Sequence, residues 1–454
     1  MNEEKMIPTL SEAEIDLARS CMEFAREHGA EQVRITLTKS LMNLTGVLNG
    51  EVDKVAHALD RSIQIQLFVD GRFGSFSNNR LERQELETFI LNAIETVRML
   101  EPDPFRCLPD AARLEKGAVS GRELGLYDPA YDGLDAAGRK ALALRSMFWP
   151  SKAQAEKGFR LIAEEGEYSD SVFDSVTLDS QGLYARHTET SFEIGYEATV
   201  EDAEGRHFSN YWWDAAPLLK DLKLDGCAEE ACRRAAALIG PRPIGSGSYT
   251  VVVDSECAGK LVTPLLNALG GYALQQKNSF LQDSLGEKRF PENMTILDTP
   301  RVPGQTGCRL FDSEGVATRD MPIIEKGVVK TWFINSYIAK KMNIAPTIED
   351  ATRVVVLPTG GCKTRKDVLR AVGNGILVTG FNGGNSNPAT GNFSYGIEGF
   401  LVEDGKISFP VRELLMTGDF LTLWNNLAIV AEDARPCMSK LVPTLAFKHV
   451  SISA

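Results

Sequence analysis

Three acidic residues lie close together in the segment LFDSEGVATRD: Asp312, Glu314 and Asp320. Carboxyl groups that meet in space can divide the roles of acid and base in a hydrolytic reaction. Glu314 is followed by Gly315, however, and a polar residue before glycine is typical of a turn between strands. We therefore expect a solvated, structural role for these carboxylates, with acid–base catalysis as the alternative.

The usual protein ligands of zinc are scattered along the chain. The five histidines are His28, His57, His187, His207 and His449, and none is followed by Glu. The eight cysteines are at 21, 107, 227, 232, 257, 308, 362 and 437, without a CxxC pair. A metal site needs several ligands that converge. We expect structural histidines and reduced thiols, and no metal site in this chain.

Other segments allow a binding role without predicting one. The glycines of Gly373-Asn374-Gly375 and of 380–384 could present backbone amides to an anion or a peptide carboxylate, but turns between strands require glycine too. Trp212 and Trp213, with Tyr211 and Phe208 nearby, would suit a partner surface or a buried core equally well. No nucleophile elbow, Walker A or dinucleotide-binding pattern is present.

Charge and composition exclude several classes of function. The formal net charge is −13 and no basic run occurs, which disfavours direct binding to nucleic acid. Apolar residues make up 43% of the chain and charged residues 24%, as in ordinary globular proteins. No apolar run approaches the roughly 20 residues of a membrane span, and the first residues do not resemble a secretion signal. We expect a cytoplasmic protein without membrane contact.

The most specific pattern runs from Gly380 to Pro410, GFNGGNSNPATGNFSYGIEGFLVEDGKISFP. Its glycines allow positive φ, its asparagines can form side-chain turns, and Pro388 keeps Asn387 out of the helical region. Phe393, Tyr395 and Ile397 then alternate with small or polar residues ahead of a turn at Asp404-Gly405. The pattern predicts a shaped loop followed by a hairpin at a sheet edge.

This segment resembles the signature of the PmbA/TldD family, whose members were first labelled modulators of DNA gyrase and are now regarded as components of a metallopeptidase. The resemblance extends to SFLQDSLGE, FDSEGVATRD, IIEKGVVKTWFINSYIAKKM and, near the start of the chain, GRFGSFSNNRLERQELETFILNAIE. It covers nearly the whole chain and is strongest in the last third.

The TldD branch of this family carries a helix with the pattern His-Glu-x-x-x-His, in which imidazoles bind Zn²⁺ and Glu polarises its water. The resemblance aligns that helix with LVTPLLNALGGY, where Thr263, Leu266 and Leu269 stand in place of ligands. The chain thus resembles the PmbA branch, also called TldE, which lacks the motif. Cys437 lies where the TldD branch supplies a cysteine ligand, but one thiolate does not make a three-ligand site.

The resemblance implies a non-catalytic subunit that pairs with a TldD-like zinc subunit in a peptidase for small or unfolded peptides. No cofactor is expected in this chain, and zinc is expected in the partner. We expect the signature loop to face the peptide or the partner, through Asn382, Gly383, Gly384, Asn385, Asn387, Pro388, Thr390, Gly391 and Ser394. The alternatives are a homodimeric peptidase with non-standard ligands, such as Cys437 plus a histidine, and a peptide- or protein-binding adaptor linked to gyrase.

The elements predict an α+β fold, with N-terminal α+β modules built on antiparallel sheets and a β-rich C-terminal domain, curved or barrel-like. Ser11 and Glu14 form a capping box that opens a helix closed near Gly29. Residues 32–76 alternate as an antiparallel meander with turns at 49–50 and 70–71, and a helix follows around 86–97. We predict domains at 1–106, 107–240 and 241–454, because proline- and glycine-rich stretches separate them.

The second domain is expected to begin with a helical region at 133–165, broken at Pro150, followed by a strand at 172–178 and two strands within 183–200. A helix at 228–238 should end it. The third domain should contain a strand at 249–253, a helix near 257–272, and mostly short strands from there to the signature hairpin.

Overall fold

The computed structural model describes residues 8–149 and 159–454. The chain folds as two compact units, each discontinuous in sequence. Unit 1 comprises the described residues up to Ala236 together with Val302–Thr318. Unit 2 comprises Ala237–Arg301 and Arg319–Ala454.

Unit 1 is built on a six-stranded antiparallel sheet in the order β3-β2-β1-β4-β5-β6. Its strands are β1 (Gln32–Leu48), β2 (Glu51–Val69), β3 (Arg72–Asn78), β4 (Arg160–Asp179), β5 (Tyr184–Glu201) and β6 (His207–Ala216). β1, β2, β4 and β5 are far longer than the mean strand of about five residues.

The helices of unit 1 are α1 (Glu12–Glu27), α2 (Arg83–Arg98), α3 (Ala136–Ser146) and α4 (Cys227–Ala237). Unit 1 includes α4 as far as Ala236. α1 begins at a capping box, in which Ser11 accepts a hydrogen bond from the Glu14 backbone and the Glu14 carboxylate accepts one from the Ser11 backbone. α1 and α2 pack their apolar faces on one face of the sheet, with Ile15, Ile35 and Ile90 among the fully buried side chains. This cluster is the main core of the unit.

A buried carboxylate fastens the start of the described chain to the sheet. Asp174 of β4 is fully buried and accepts hydrogen bonds from Arg186 at 2.6 Å, from the Thr188 hydroxyl at 2.9 Å and from the Leu10 backbone N–H at 2.9 Å. Arg186 also donates to the Leu10 carbonyl. A buried charge is tolerated because every side of it has a donor, so this network fixes the chain just before α1.

Unit 2 is built on a second six-stranded sheet, β14-β13-β12-β7-β16-β15, and a small four-stranded sheet, β10-β9-β8-β11. The large sheet contains β7 (Gly247–Val253), β12 (Gly375–Ser386), β13 (Asn392–Glu403), β14 (Lys406–Asp419), β15 (Leu427–Val430) and β16 (Leu445–Ser453). The small sheet contains β8 (Ile296–Asp298), β9 (Met321–Glu325), β10 (Val328–Val329) and β11 (Val354–Val356). Because β14 also pairs with β16, five strands close into a barrel.

The helices of unit 2 are short. They are α5 (Gly259–Ala268), α6 (Gly271–Gln275), α7 (Ser336–Met342), α8 (Arg365–Val372) and α9 (Phe420–Asn425). Val252, Leu377 and Phe400 of the large sheet pack with Val368 of α8 in one buried cluster. In the part of the chain that the structure describes, no helix combines the length and the apolar character needed to cross a membrane.

The predicted α+β fold is confirmed, with antiparallel sheets in both units and a closed barrel near the C-terminus. The capping box and the meander with turns at 49–50 and 70–71 are confirmed as well. The domain boundaries after residues 106 and 240 stay predictions. β1 and β4, from the first and second predicted domains, pair from Arg34↔Asp179 to Leu48↔Glu165, so both regions contribute to one sheet.

Several details of the predicted layout are wrong. Residues 184–201 form one strand, because pairing with β4 on one side and β6 on the other carries the strand through Gly195. Residues 160–165 belong to β4 and not to a helical region, and Pro150 lies outside the described residues. β6 and the helices α7 to α9 were not predicted. The helices have eight residues or fewer, too few for a clear periodic signal, and the sequence of β6, HFSNYWWDAA, does not alternate clearly between apolar and polar residues.

The stability of the barrel should depend on the absence of a side chain at Gly399. A Cβ atom at Gly399 would lie 1.8 Å from the Leu377 carbonyl oxygen, whereas one at Gly247 of β7 would meet nothing nearer than 3.6 Å. We expect Gly399→Ala to lower the free energy of unfolding by about 1–3 kcal/mol, since β12 and β13 must separate. Urea denaturation measures the loss, and equal effects of Gly399→Ala and Gly247→Ala would contradict it.

The Asp174 network should be far more important than an exposed ion pair of similar geometry. Asp174→Ala leaves Arg186 buried without its carboxylate and should cost about 3–5 kcal/mol of stability. Asp225→Ala removes the solvent-exposed pair with Arg145, with its 2.6 Å contact, and should leave the urea midpoint nearly unchanged. Urea midpoints of the two variants compare the losses, and a small effect of Asp174→Ala would refute the anchoring role.

Candidate functional site

The signature segment is a hairpin in the barrel rather than the loop that its turn residues suggested. Asn382, Gly383, Gly384 and Asn385 belong to β12, and Ser394 belongs to β13. Gly383 and Gly384 have φ of 146° and 95°, and β12 bulges between Phe381 and Gly383. The expectation of an irregular segment from residue 380 is therefore wrong, because the positive-φ glycines are used at bulges within a paired strand.

The irregular part is confined to residues 387–391. The Asn387 carboxamide oxygen accepts hydrogen bonds from the backbone N–H groups of Ala389 and Thr390, at 2.9 and 3.2 Å. The Gly391 N–H donates to the Asn387 carbonyl, which closes the turn. Pro388 and Thr390 are exposed on this tip. Asn387 thus shapes the turn and leaves its neighbours free to contact another molecule.

Aromatic rings support the hairpin from below. Phe393 and Tyr395 are two residues apart on one face of β13, with ring centroids 5.3 Å apart, and Phe420 lies 4.9 Å from Phe393. Phe280 stacks on Phe420 at 5.8 Å, and its ring is 2.9 Å from where a Gly391 Cβ would be. Gly391 is therefore required by close approach as well as by its φ of 78°. This packing holds the tip in one place.

Beyond the barrel, the outer part of β12 has a neighbour on one side only among the described strands. β7 pairs with Ile376–Val378 and ends at Val253, whereas β13 follows β12 out to Ser386. Asn382 to Asn385 are exposed along this stretch. A strand edge of this kind can accept an extended peptide as an additional strand.

The segment that aligns with the metal helix is α5 with its flanks. Leu269, just past its end, is fully buried, Leu266 is half-buried, and the Thr263 hydroxyl donates to the Gly259 carbonyl at 3.1 Å. Leucine has no donor atom for a metal, and the threonine oxygen is engaged with its own helix. The side chains at these positions do not fit zinc, and we assign no chemical step to a metal held by α5.

Cys437 lies on the loop before β16 and is partly buried. Arg435 on the same loop forms a 3.7 Å ion pair with Glu256, just before α5. The loop and the start of α5 are therefore neighbours. Within the described residues, no group of three or more His, Cys, Asp or Glu side chains could hold a metal ion.

The thiol of Cys257, just before α5, is expected to be unreactive as a nucleophile. Cys257 donates weakly to the carbonyls of Asp254 and Val378, and burial together with the Asp254 carboxylate raises the pKa of its thiol far above the usual range. A thiol that stays protonated is a poor nucleophile. Asp254 itself forms an ion pair with Arg365 at the start of α8. These groups hold α5 and α8 against β7.

The three acidic residues Asp312, Glu314 and Asp320 do not form one group. The Asp312 carboxylate accepts hydrogen bonds from the Glu314 and Val316 N–H groups, both at 2.9 Å, and so builds the turn at Gly315. These residues belong to unit 1, whereas Asp320 belongs to unit 2 and is exposed. The turn predicted at Glu314-Gly315 is present, with φ of 79° at Gly315.

Three of the histidines lie beside polar side chains of their own or a neighbouring strand. His187 is buried and lies 3.1 Å from the Glu189 carboxylate, and His207 lies 3.2 Å from that of Glu201. The His57 ring contacts the Asn43 carboxamide. The structure does not bring these rings to Cys437 in any group that could bind a metal within the described residues.

Alternation along β6 divides its aromatic residues between two environments. Phe208 is buried, Trp212 is half-buried with the Arg234 guanidinium 4.1 Å from its ring, and Tyr211 is 59% exposed. The core interpretation is confirmed for Phe208, and a partner surface stays a prediction for the exposed Tyr211. The recognition of β6 as a strand would have separated them, because alternate residues face opposite sides.

Sequence reasoning missed Lys260 and Arg365. The Lys260 ammonium of α5 lies 5.3 Å from the centre of the Tyr395 ring and so connects α5 with the signature hairpin. Arg365 pairs with Asp254 across 111 residues of sequence. A basic residue at a helix start is unusual against the helix dipole, which is the one local signal that marks Arg365.

Three segments of the chain match domains of a known protein family. Domains described as the PmbA/TldA metallopeptidase domain 1, central domain and C-terminal domain match residues 34–97, 136–239 and 246–454. The metalloprotease PmbA of Escherichia coli O157:H7 is 27% identical over 403 residues, which are 87% of each chain.

Solved structures are similar over nearly the full length. A Bacteroides thetaiotaomicron protein, described as a candidate modulator of DNA gyrase, is 37% identical, with a TM-score of 0.90 over 98% of this chain and 99% of that one. TldE from Thermococcus kodakarensis shares the fold, at 20% identity and a TM-score of 0.82 over 96% and 100%. The chain belongs to the PmbA/TldD family of metallopeptidases.

Proposed function

We propose that this chain is the PmbA/TldE-like, non-catalytic subunit of a cytoplasmic TldD/TldE-type metallopeptidase. It pairs with a TldD-like subunit that carries the zinc, and the pair hydrolyses small or unfolded peptides. This chain contributes walls and a strand edge along which an extended peptide reaches the partner's metal.

One observation supports the proposal: α5, which the resemblance aligns with the metal helix of the TldD branch, carries no metal-binding side chain, whereas the signature hairpin is held in shape by local contacts. Leu266 and Leu269 offer no donor atom, and Thr263 is bonded to Gly259. The hairpin nevertheless retains its bulges, its Asn387 turn and its aromatic support. A chain with this combination is suited to hold a peptide and not to activate water on zinc.

The edge of β12 supports the same role. Backbone groups along an exposed strand edge bind any peptide in extended form, because the hydrogen bonds do not depend on the peptide's side chains. This fits unfolded substrates of varied sequence. The net charge of −13 argues against direct contact with DNA, so the peptidase role accounts for the residues better than a gyrase-linked role does.

Reconstitution tests the pairing directly. The purified chain should contain substoichiometric zinc after dialysis and should not cleave unstructured peptides, because α5 supplies no ligand. The complex with a TldD-like subunit should contain zinc and cleave them, and omission of this chain should abolish cleavage. Elemental analysis and peptide hydrolysis measure both properties.

Two outcomes would contradict this proposal. Stoichiometric zinc and cleavage in the lone chain would support a homodimeric peptidase with non-standard ligands, and Cys437→Ser should then release the metal. Undiminished cleavage by the TldD-like subunit alone would leave this chain without a peptidase role.

Two asparagines in the hairpin should respond differently. Asn385→Ala removes an exposed side chain on the strand edge, so peptide cleavage by the complex should fall by roughly three- to tenfold without loss of stability. Asn387→Ala removes the acceptor that shapes the tip and should cost about 1–2 kcal/mol of stability. Kinetics of the complex and urea denaturation of the chain separate the two.

Asn92→Ala, at an exposed position on α2, is the matched control and should change neither property. If Asn385→Ala and Asn92→Ala have the same effect on cleavage, the hairpin edge does not contact peptide or partner in the way proposed.

A further inference from the structure

A groove crosses the long strands of unit 1, where β1, β4 and β5 pass Gly46, Gly166 and Gly195. Its cavity volume is about 450 Å³, and the five strands β1, β2, β4, β5 and β6 contribute to it. Its walls carry two kinds of side chain: the carboxylates of Asp53, Glu165, Glu167 and Glu197, and the aromatic rings of Tyr211, Trp212 and Trp213. Nothing in the proposed peptidase role uses this surface.

Strand register puts the key side chains on one face of the sheet. Glu167 is paired with Gly46 on one side and Gly195 on the other, and Gly195 is paired with Trp213. Directly paired residues point to the same face. Because glycine has no side chain, Glu167 has no neighbouring side chain at the directly paired position on either adjacent strand. The Cα atoms of Glu167 and Trp213 are separated by two strand spacings, roughly 10 Å.

Two residues farther along each strand, another set of paired residues lies on the same face of the sheet. Glu165 is paired with Glu197, and Glu197 is paired with Tyr211. Glu165, Glu167 and Glu197 are exposed, and Tyr211 is 59% exposed. Three carboxylates thus face the same space as a tyrosine ring and a tryptophan ring.

The charges in this groove are not balanced within the described residues. Glu165 and Glu197 are directly opposite each other, an arrangement of like charges that destabilises a sheet. Ion pairs among the described side chains include none of the three groove glutamates, whereas Glu201, farther along β5, pairs with Arg160 at 2.7 Å. Lys54 is the one basic residue among the described lining residues, against four acidic ones.

We propose that the groove binds a peptide segment that carries lysine or arginine side chains. A cationic head group would lie between the glutamate carboxylates and the faces of Trp213 and Tyr211, where it gains ion-pair and cation–π attraction together. The bound cation would also relieve the repulsion between Glu165 and Glu197. The inference concerns this chain alone and does not depend on a TldD-like partner.

Other occupants match the groove less well. A second copy docked by two-fold symmetry through this groove would place two surfaces of the same net negative charge against each other, because both sides of such an interface are the same patch. A bound metal ion would make no use of the aromatic rings, and the described residues contain no group able to hold one. Nucleic acid would be repelled by the carboxylates.

Binding of two matched peptides to the isolated chain tests this inference. The probes are a short, fluorescently labelled peptide of alternating lysine and serine, and the same peptide with glutamine in place of lysine. Anisotropy at low ionic strength should show at least roughly tenfold tighter binding of the lysine peptide, and high salt should reduce the difference because it screens exposed charges. Equal affinity for the two peptides would overturn the proposal.

Charge-matched variants locate the site. Glu165→Gln with Glu197→Gln should weaken binding of the lysine peptide by roughly tenfold. Glu23→Gln with Glu27→Gln alters the net charge equally on exposed positions of α1 and should have little effect. Equal weakening by both double variants would mean that net charge alone attracts the peptide, which overturns the proposal.

The aromatic contribution and the fold are checked separately. Trp213→Leu should weaken binding by roughly fivefold, from the loss of the cation–π contact. The Glu165→Gln, Glu197→Gln variant should unfold at the same or a higher temperature than the parent chain, because a repulsion is removed. A lower unfolding temperature, or a change of oligomeric state in sedimentation, would assign the glutamates to folding or to a contact between copies instead.

Discussion

The candidate site depends on the closure of the C-terminal sheet by β14 and β16. Three residue pairs, Leu415↔Ser453, Met416↔Ile452 and Thr417↔Ser451, join strands that would otherwise be separated by the rest of the sheet. Closure forces strong curvature, which antiparallel strands obtain through bulges and glycine. β13 shifts register twice against β14, and Gly399 lies against the Leu377 carbonyl, where no side chain would fit.

Curvature also determines what is exposed. Because β7 ends at Val253, the outer part of β12 continues past the barrel with β13 as its only described neighbour in the sheet. The apolar side chains of the same hairpin point toward Phe280 and Phe420. One side of the hairpin is thereby rigid and the other presents backbone and asparagine side chains. A peptide-binding edge needs this combination, since ordering a flexible edge on binding would lower affinity.

The packing of α5 and the binding of zinc depend on different side chains. The helix is part of the packed interior, with Leu261, Val262 and Leu265 fully buried, so its contribution to unit 2 is apolar packing. Catalysis on zinc, in contrast, requires every ligand. α5 therefore contributes to the packing of unit 2 without providing side-chain ligands for a metal.

The sequence by itself determined the features that depend on residues close to one another in the chain. The capping box at Ser11, the turn at Glu314-Gly315 and the hairpin turn at Asp404-Gly405 follow from local hydrogen bonds and from permitted backbone angles. The absence of metal ligands from α5 was also readable, because it is a matter of residue type and not of geometry. So was the family, whose motifs are contiguous in sequence.

The tertiary structure alone decided what depends on register between distant strands. Gly46 and Glu167 meet in the acidic groove across a long separation in sequence, and Asp174 meets Leu10 across another. Alternation along a strand shows which residues share a face, but a shift of one residue in pairing would exchange the faces. No local signal sets such a pairing, because it is fixed by the packing of the whole sheet.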